Sequence, residues 1–212
     1  FLALIGWNPG TDEELFSLNE LIERFDLAQV QRAGAAFNEE KLRWMNGEHL
    51  KRLPEQERAA YVTDALTPLV GHYAQFDADR AARLAPTVLE RARTALEIRT
   101  AAEAGEYDFA FATPVYDTAL IQFKHDPDVT AAAPRLAHVR TLLAAADFSS
   151  PDSIKAAVWP YAEEVGRGQV LWPLRVALTG RERSPDPFTV AHIIGQAETL
   201  ARIDAACDKI GV

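Results

Sequence analysis

Gly168-Gln169-Val170-Leu171-Trp172-Pro173-Leu174-Arg175-Val176-Ala177-Leu178-Thr179-Gly180 decides how this chain is read. Leu174 and Leu178 stand four residues apart and so share one face of a helix. Pro173 suits a helix start, where its missing N–H leaves no hydrogen bond unmade. Gly180 suits a helix end, because glycine takes left-handed dihedrals without a Cβ clash. Arg175 then projects from a short helix. Its guanidinium holds five donors in a planar fork, a shape matched to phosphates or base edges. By spacing alone it equally suits capping a neighbouring carboxylate.

Outward from this stretch, nearly every segment predicts helix. Ser150-Pro151 opens a helix that runs to the Gly166-Arg167-Gly168 break. On the other side, Val190, Ile193, Ile194, Ala197, Leu200 and Ala201 follow the i, i+3, i+4, i+7 spacing of one apolar helical face. Near the N-terminus, Ser17 and Glu20 form a capping-box pattern, with a helix expected to about Phe25. Asn38 caps a short helix through Asn46, and Gly47 is the expected stop. Pro54 opens a segment to about Val70. Asp77 and Pro86 begin the next two pieces, which Gly105 closes. Tyr107 to Pro114 reads as an extended connection, since a residue before proline is driven out of the helical region. Helix resumes at about Tyr116–Phe123 and Val129–Ala146. No strand alternation, repeat or low-complexity stretch is visible, so the fold class is all-α. The breaks near Leu50–Pro54 and Asp147–Pro151 divide the chain into residues 1–50, 51–146 and 147–212.

The 212 residues are 48% hydrophobic and 25% charged, ordinary for a soluble globular protein. The net charge of −9 lacks the whole-chain Lys/Arg excess of many nucleic-acid binders. Positive charge is instead local: Arg167, Arg175, Arg181 and Arg183 share a stretch whose single acid is Glu182. Cys207 is the lone cysteine, which excludes an intrachain disulfide and argues against a Cys-based zinc site. No apolar run approaches the ~20 residues that span a bilayer. The N-terminus lacks the layout of a signal peptide, and the chain starts at Phe1 within a hydrophobic run. We expect a fragment of a cytoplasmic protein, away from membranes. Nothing catalytic stands out. His49, His72, His125, His138 and His192 form no His-x-x-x-His pair. Gly166-Arg167-Gly168 has Leu171 where a dinucleotide loop needs its third glycine. No metal ligand, cofactor or catalytic residue is expected in this chain.

Three blocks carry a family resemblance. Gly168–Gly180 resembles the Gly-Gln-Val…Pro-Leu-Arg-x-Ala-Leu-Thr-Gly pattern of glutamyl-tRNA synthetases. Phe37-Asn38-Glu39-Glu40-Lys41-Leu42-Arg43-Trp44-Met45-Asn46-Gly47 resembles the family's Phe-Asp-x-x-Lys-Leu-x-Trp-Met-Asn run. Leu2-Ala3-Leu4-Ile5-Gly6-Trp7, with Leu18–Phe25 after it, is the third. They occur in family order over essentially the whole chain. The resemblance implies the C-terminal region of a bacterial-type enzyme: residues 1–50 as the end of a stem-contact fold, then helical anticodon-binding subdomains at 51–146 and 147–212. The partner implied is tRNA(Glu), bound by a monomer. ATP and magnesium would belong to the parent enzyme's catalytic domain. His192-Ile193-Ile194-Gly195 is similar to part of the class I His-Ile-Gly-His signature, but lacks the second histidine and reads as amphipathic core helix.

Residue by residue, the resemblance places Arg175, Ser184, Pro185 and Pro187 at anticodon-contacting positions, with Pro187 departing from the usual apolar side chain. Arg181 and Arg183 are further departures, open to phosphate contact or plain solvation. Arg93, in the helix expected after Pro86, aligns with an arginine facing the third anticodon letter. The alternative for Arg93 is a stem packed on Leu89 and Leu96. Its chemistry fits the former role. Glutamate and glutamine anticodons differ there as C against G; cytosine offers acceptors at that edge and guanine offers donors, so a donor-only guanidinium suits cytosine. Lys41 and Arg43 are stem-contact candidates, Lys41 being equally readable as a solvated charge, whereas Trp44 is expected to pack inward beside Leu42 and Met45. Two other readings stand beside this one: the helical anticodon domain of a class I lysyl-tRNA synthetase, and a helical protein-interaction scaffold without RNA.

Overall fold

The computed structural model describes residues 1–31 and 36–211. Among these the chain is all helix and turn, with a single antiparallel bridge between Trp7 and Val30 and no strand. The all-α expectation holds.

The N-terminal portion holds α1 (Leu2–Gly6), α2 (Leu18–Arg24) and α3 (Glu39–Arg52). Ser17 makes the expected capping box: its hydroxyl accepts from the Glu20 N–H, and the Glu20 carboxylate accepts from the Ser17 N–H. Trp7 is buried, with Phe16 and Phe25 at ring-centroid distances of 6.0 and 5.4 Å. Asn38 caps α3 as expected. Two expectations fail here. Gly47 does not stop the helix, which continues to Arg52; a Cβ on Gly47 would lie 3.0 Å from the Arg93 Cγ, so the glycine admits a side chain rather than a turn. Trp44 is exposed, because Met45 and Leu50 take the inner face of α3.

Next come α4 (Glu55–Val70), α5 (Ala78–Leu89) and α6 (Ala95–Glu103), with α4 packed on both of the others. Pro54 and Asp77 sit at N-caps. Pro86 does not open a helix but lies inside α5. Ala81, Leu84, Ala85 and Val88, at i, i+3, i+4 and i+7, are all buried, and that face holds α5 together past the proline's missing donor. Thr94 caps α6 instead. The supposed extended connection contains a four-residue helix, α7 (Asp108–Phe111), whose Phe109 and Phe111 are buried; the chain is extended from Ala112.

After two short 3-10 turns, at Thr118–Ile121 and Val129–Ala132, the chain forms α8 (Ala133–Ala144), α9 (Pro151–Val165), α10 (Arg167–Thr179), α11 (Pro187–Ile194) and α12 (Gln196–Lys209). Ser150 caps α9, and Gly166 breaks the chain at φ 123°. α10 begins at Arg167, so Pro173 lies well inside it, buried, and not at its start. Gly168 is a close-approach position: a Cβ there would sit 2.5 Å from Cζ of Phe123. Gly180 ends α10 in the left-handed region as expected, at φ 68°. The single apolar stripe expected from Val190 to Ala201 is cut by Gly195, at φ 82°. Beyond it the phase changes: Ala197 and Ala201 are exposed, and Thr199, Arg202, Ile203 and Ala206 turn inward.

One contiguous apolar core runs from Val62 to Ile210. α8 lies against α9, α10 and α12, so the packing crosses residue 147. Buried arginines reinforce it. All five N–H groups of Arg202 are used, on Glu198, Gln75 and the carbonyls of Phe109, Leu178 and Ala112. Arg80 reaches the carbonyls of Ala110 and Ile194, and Arg83 that of Ile193. These guanidiniums meet orphan carbonyls at the ends of α7, α10 and α11, where a buried acceptor without a partner would be costly.

Candidate nucleic-acid interface

Arg93 lies in the connection between α5 and α6, not in the helix expected after Pro86. Each part of it is held. The N–H donates to the Glu97 carboxylate at 2.6 Å, and the carbonyl accepts from the Asn46 side-chain amide. The aliphatic stem lies over Gly47, and the guanidinium donates to Glu40 at 2.7 Å. Stem packing on Leu89 and Leu96 is not the arrangement found, since Leu96 points to solvent. Beside Arg93, an open groove of about 770 Å³ runs along α3 and α6, lined by Arg43, Asn46, Tyr61, Thr94, Glu97 and Glu106 among others.

Arg175 projects from α10 beside the loop that follows it. It makes no ion pair among the described residues; its Nη1 donates to the Glu182 carbonyl at 3.4 Å, so carboxylate capping is not its role here. Arg175 and Pro187 line one pocket of about 280 Å³ together with Lys155, Trp159, Leu171 and Phe188. Pro187 is buried at the first position of α11, and Asp186 caps that helix by accepting from the Phe188 and Thr189 N–H groups, each at 3.0 Å. Ser184 and Pro185 are half-buried in the intervening loop, where the Ser184 hydroxyl donates to the Pro185 carbonyl.

Lys155 and Trp159 escaped the sequence reading. They sit one helical turn apart on α9 and reach Arg175 only through the α9–α10 packing. Lys155 Nζ lies 4.6 Å and the Arg167 guanidinium 4.7 Å from the Trp159 ring centroid. Both cations lie over the indole, so positive charge and an aromatic ring, the two chemistries that hold phosphates and nucleobases, are side by side. The i, i+4 spacing of Lys155 and Trp159 was the available signal, and it is a weak one.

Arg181 is neither solvated nor free for phosphate. Its two terminal nitrogens donate to the carbonyls of Gly105 and Glu106, at the far end of α6 from Arg93. The loop carrying Ser184 and Pro185 is thereby tied to the helix whose start carries Arg93. α6 has nine residues and so spans about 13 Å. Arg93 and the Arg175 pocket are therefore separate places, joined through α6. Arg183 is exposed and without a hydrogen-bond partner among the described residues.

The stem-contact candidates are on α3. Lys41 is paired with Glu14. Arg43 donates to Glu39 at 2.6 Å, a contact that raises its already high pKa. No group of three or more His, Cys, Asp or Glu residues suited to a metal ion occurs among the described residues. No helix among them is long and apolar enough to cross a membrane.

The comparisons with known proteins bear on the fold and the family. Residues 57–207 match the family model described as an anticodon binding domain. The glutamate–tRNA ligase of Lachnoclostridium phytofermentans is 33% identical over 99% of this chain and 42% of its own length. That of Flavobacterium johnsoniae is 34% identical over 99% of this chain and 40% of its own length. The crystal structure of a glutamate tRNA ligase from Elizabethkingia meningosepticum superimposes with a TM-score of 0.72 at 27% identity, over 99% of this chain and 40% of that one. This chain thus spans well under half the length of these relatives. It belongs to the anticodon-binding domain family, in the form carried by the C-terminal part of glutamate–tRNA ligases.

Proposed function

We propose that this chain reads the anticodon of tRNA(Glu) on behalf of a glutamate–tRNA ligase, a cytoplasmic enzyme acting as a monomer. ATP and magnesium would be used by the remaining part of that enzyme, and the chain on its own would ligate nothing. Residues 1–50 serve as the end of the stem-contact fold, with Lys41 and Arg43 toward the RNA stem. Residues 51–146 and 147–212 serve as the two anticodon-binding portions. Arg175, Ser184, Pro185 and Pro187 form one contact region, and Arg93 meets the third anticodon letter.

The observation that carries this reading is the pocket shared by Arg175, Pro187, Lys155 and Trp159. It brings a planar donor fork, an indole and the Lys155 ammonium into one concavity, whose lining also includes Asp152 and Asp186. That combination suits an unstacked base and its phosphate. Two cations, Lys155 and Arg175, stand there with two acids, Asp152 and Asp186, so the pocket is locally near neutral within a chain of net charge −9.

Titration of labelled anticodon stem-loops into the chain tests the proposal. Stem-loops bearing the glutamate, glutamine and lysine anticodons should bind in that order of decreasing affinity, and binding should weaken as salt rises. Preference for the lysine anticodon would transfer the reading to a lysyl enzyme. Binding with neither anticodon preference nor salt dependence would make the chain a protein-interaction scaffold.

A further inference from the structure

In the Trp-Met-Asn-Gly run of α3, Trp44 is exposed and Met45 is core. The run's last two residues both touch Arg93. We propose that Asn46 and Gly47 are positioning residues for Arg93, and that Glu40 is its resting counter-ion, exchanged for RNA on binding. This rests on Arg93 meeting the third anticodon letter.

Arg93 sits between two helices, so no helical hydrogen bond fixes its backbone. Two side chains do so instead. Glu97 accepts from its N–H at 2.6 Å, and Asn46 donates to its carbonyl. Direction is set separately. Glu40 and Gly47 are seven residues apart and therefore on one face of α3, about 10 Å along its axis. The Arg93 stem rests on Gly47, and its guanidinium ends at Glu40. Gly47 is the one position on that face where backbone is bare: a Cβ would meet Cγ of Arg93 at 3.0 Å and Cβ at 3.2 Å. A Cβ there makes the Arg93 stem give way by a few tenths of an ångström, and we expect that shift to be passed along the stem to the fork. Glu40 acts only on the tip. The pair is well exposed, with side-chain accessibilities of 47% for Arg93 and 73% for Glu40, so it breaks at little cost when RNA arrives.

A role confined to structure predicts the opposite for one variant. Gly47→Ala replaces a mid-helix glycine by the best helix former, and fold stability should hold or rise. The positioning role predicts lost selectivity in the same protein.

The test measures, on the 212-residue chain, affinity for the glutamate anticodon stem-loop and for its variant with G as third letter, alongside thermal unfolding. Gly47→Ala and Asn46→Leu are each expected to cut the C-over-G preference about tenfold, the scale of one lost base-edge contact. Gly47→Ala should leave the unfolding temperature unchanged or higher. Glu40→Gln should tighten binding in wild type and do nothing in an Arg93→Gln background. If Arg93→Gln abolishes the preference while Gly47→Ala preserves it, the positioning role is wrong and the reading of Arg93 stands. If Arg93→Gln leaves the preference intact, the reading of Arg93 itself falls, and the positioning role with it.

Discussion

Arg181 donates a 2.6 Å hydrogen bond to the Gly105 carbonyl, joining the start of the α10–α11 loop to the turn after α6. With a second bond to Glu106, it fixes the loop of Ser184 and Pro185 relative to the helix that begins beside Arg93. A charged donor on two backbone acceptors is a strong link for one side chain.

Arg181→Ala should therefore weaken stem-loop binding about three- to tenfold by freeing the loop, on the scale of one or two net hydrogen bonds. The slope of affinity against salt should not change, because Arg181 spends its donors on carbonyls. Arg183→Ala provides the contrast. An exposed arginine on phosphate would lower that slope by about one when removed. A reduced slope for Arg181→Ala would mean that it reaches phosphate in the complex.

Arg202 has a purely structural task. Buried in α12, it satisfies three carbonyls that no other described group reaches as donor. Arg202→Met should cost about 3–5 kcal/mol, since acceptors are left buried and Glu198 loses its partner. For a chain of this size that corresponds to a fall of roughly 10 °C or more in unfolding temperature. Arg202→Lys should recover only part of the loss, because an ammonium has three donors and no fork. Thermal unfolding followed by circular dichroism reads both.

Gly195 isolates the cost of backbone alone. A Cβ there meets nothing within 4 Å, yet φ is 82° with ψ 166°, a region reserved for glycine. Gly195→Ala should destabilise by about 1–3 kcal/mol through strain without any clash. Gly6→Ala, also in open space but without positive φ, should change stability by less than about 0.5 kcal/mol. Equal effects in urea titrations would refute the strain account.

The capping box of α2 carries a pH dependence of known sign. The Ser17 N–H, and secondarily its hydroxyl, hold the Glu20 carboxyl below its ordinary pKa. A depressed folded-state pKa means that the cap's contribution is complete above the ordinary carboxylate range and is lost as pH falls through the folded value. The Ser17 amide proton should therefore lose exchange protection on acidification through that range. Glu20→Gln keeps a capping acceptor and should remove the pH dependence. An unchanged acid profile in the variant would assign the effect to another group.

Local chemistry made much of this protein legible. Ser17, Asn38, Asp77 and Ser150 cap helices because an N-cap oxygen needs only an N–H two or three residues ahead. Gly180 ends α10 for an equally local reason. The motifs around Gly168–Gly180 and Phe37–Gly47 carry the family resemblance in a few neighbouring residues each. A residue whose meaning depends on its neighbour in space is not legible this way. Pro86 and Pro173 look like helix starts until buried faces hold α5 and α10 across them. Gly47 looks like a stop until Arg93 lies on it, and Trp44 looks like core until Met45 takes that face.

The same division runs through the candidate site. Arg175 could be named from its motif, but Lys155 and Trp159 join it only because α9 packs on α10. Arg93 could be named too, whereas its backbone and direction depend on Asn46, Gly47 and Glu40, some fifty residues earlier in the chain. The sequence by itself determined the all-helical class, most helix starts and the family, since caps, periodicity and motifs act over a few residues. Only the tertiary structure decided which arginines are buried struts and which face a groove, because a guanidinium takes its role from the acceptors that folding brings within hydrogen-bond reach.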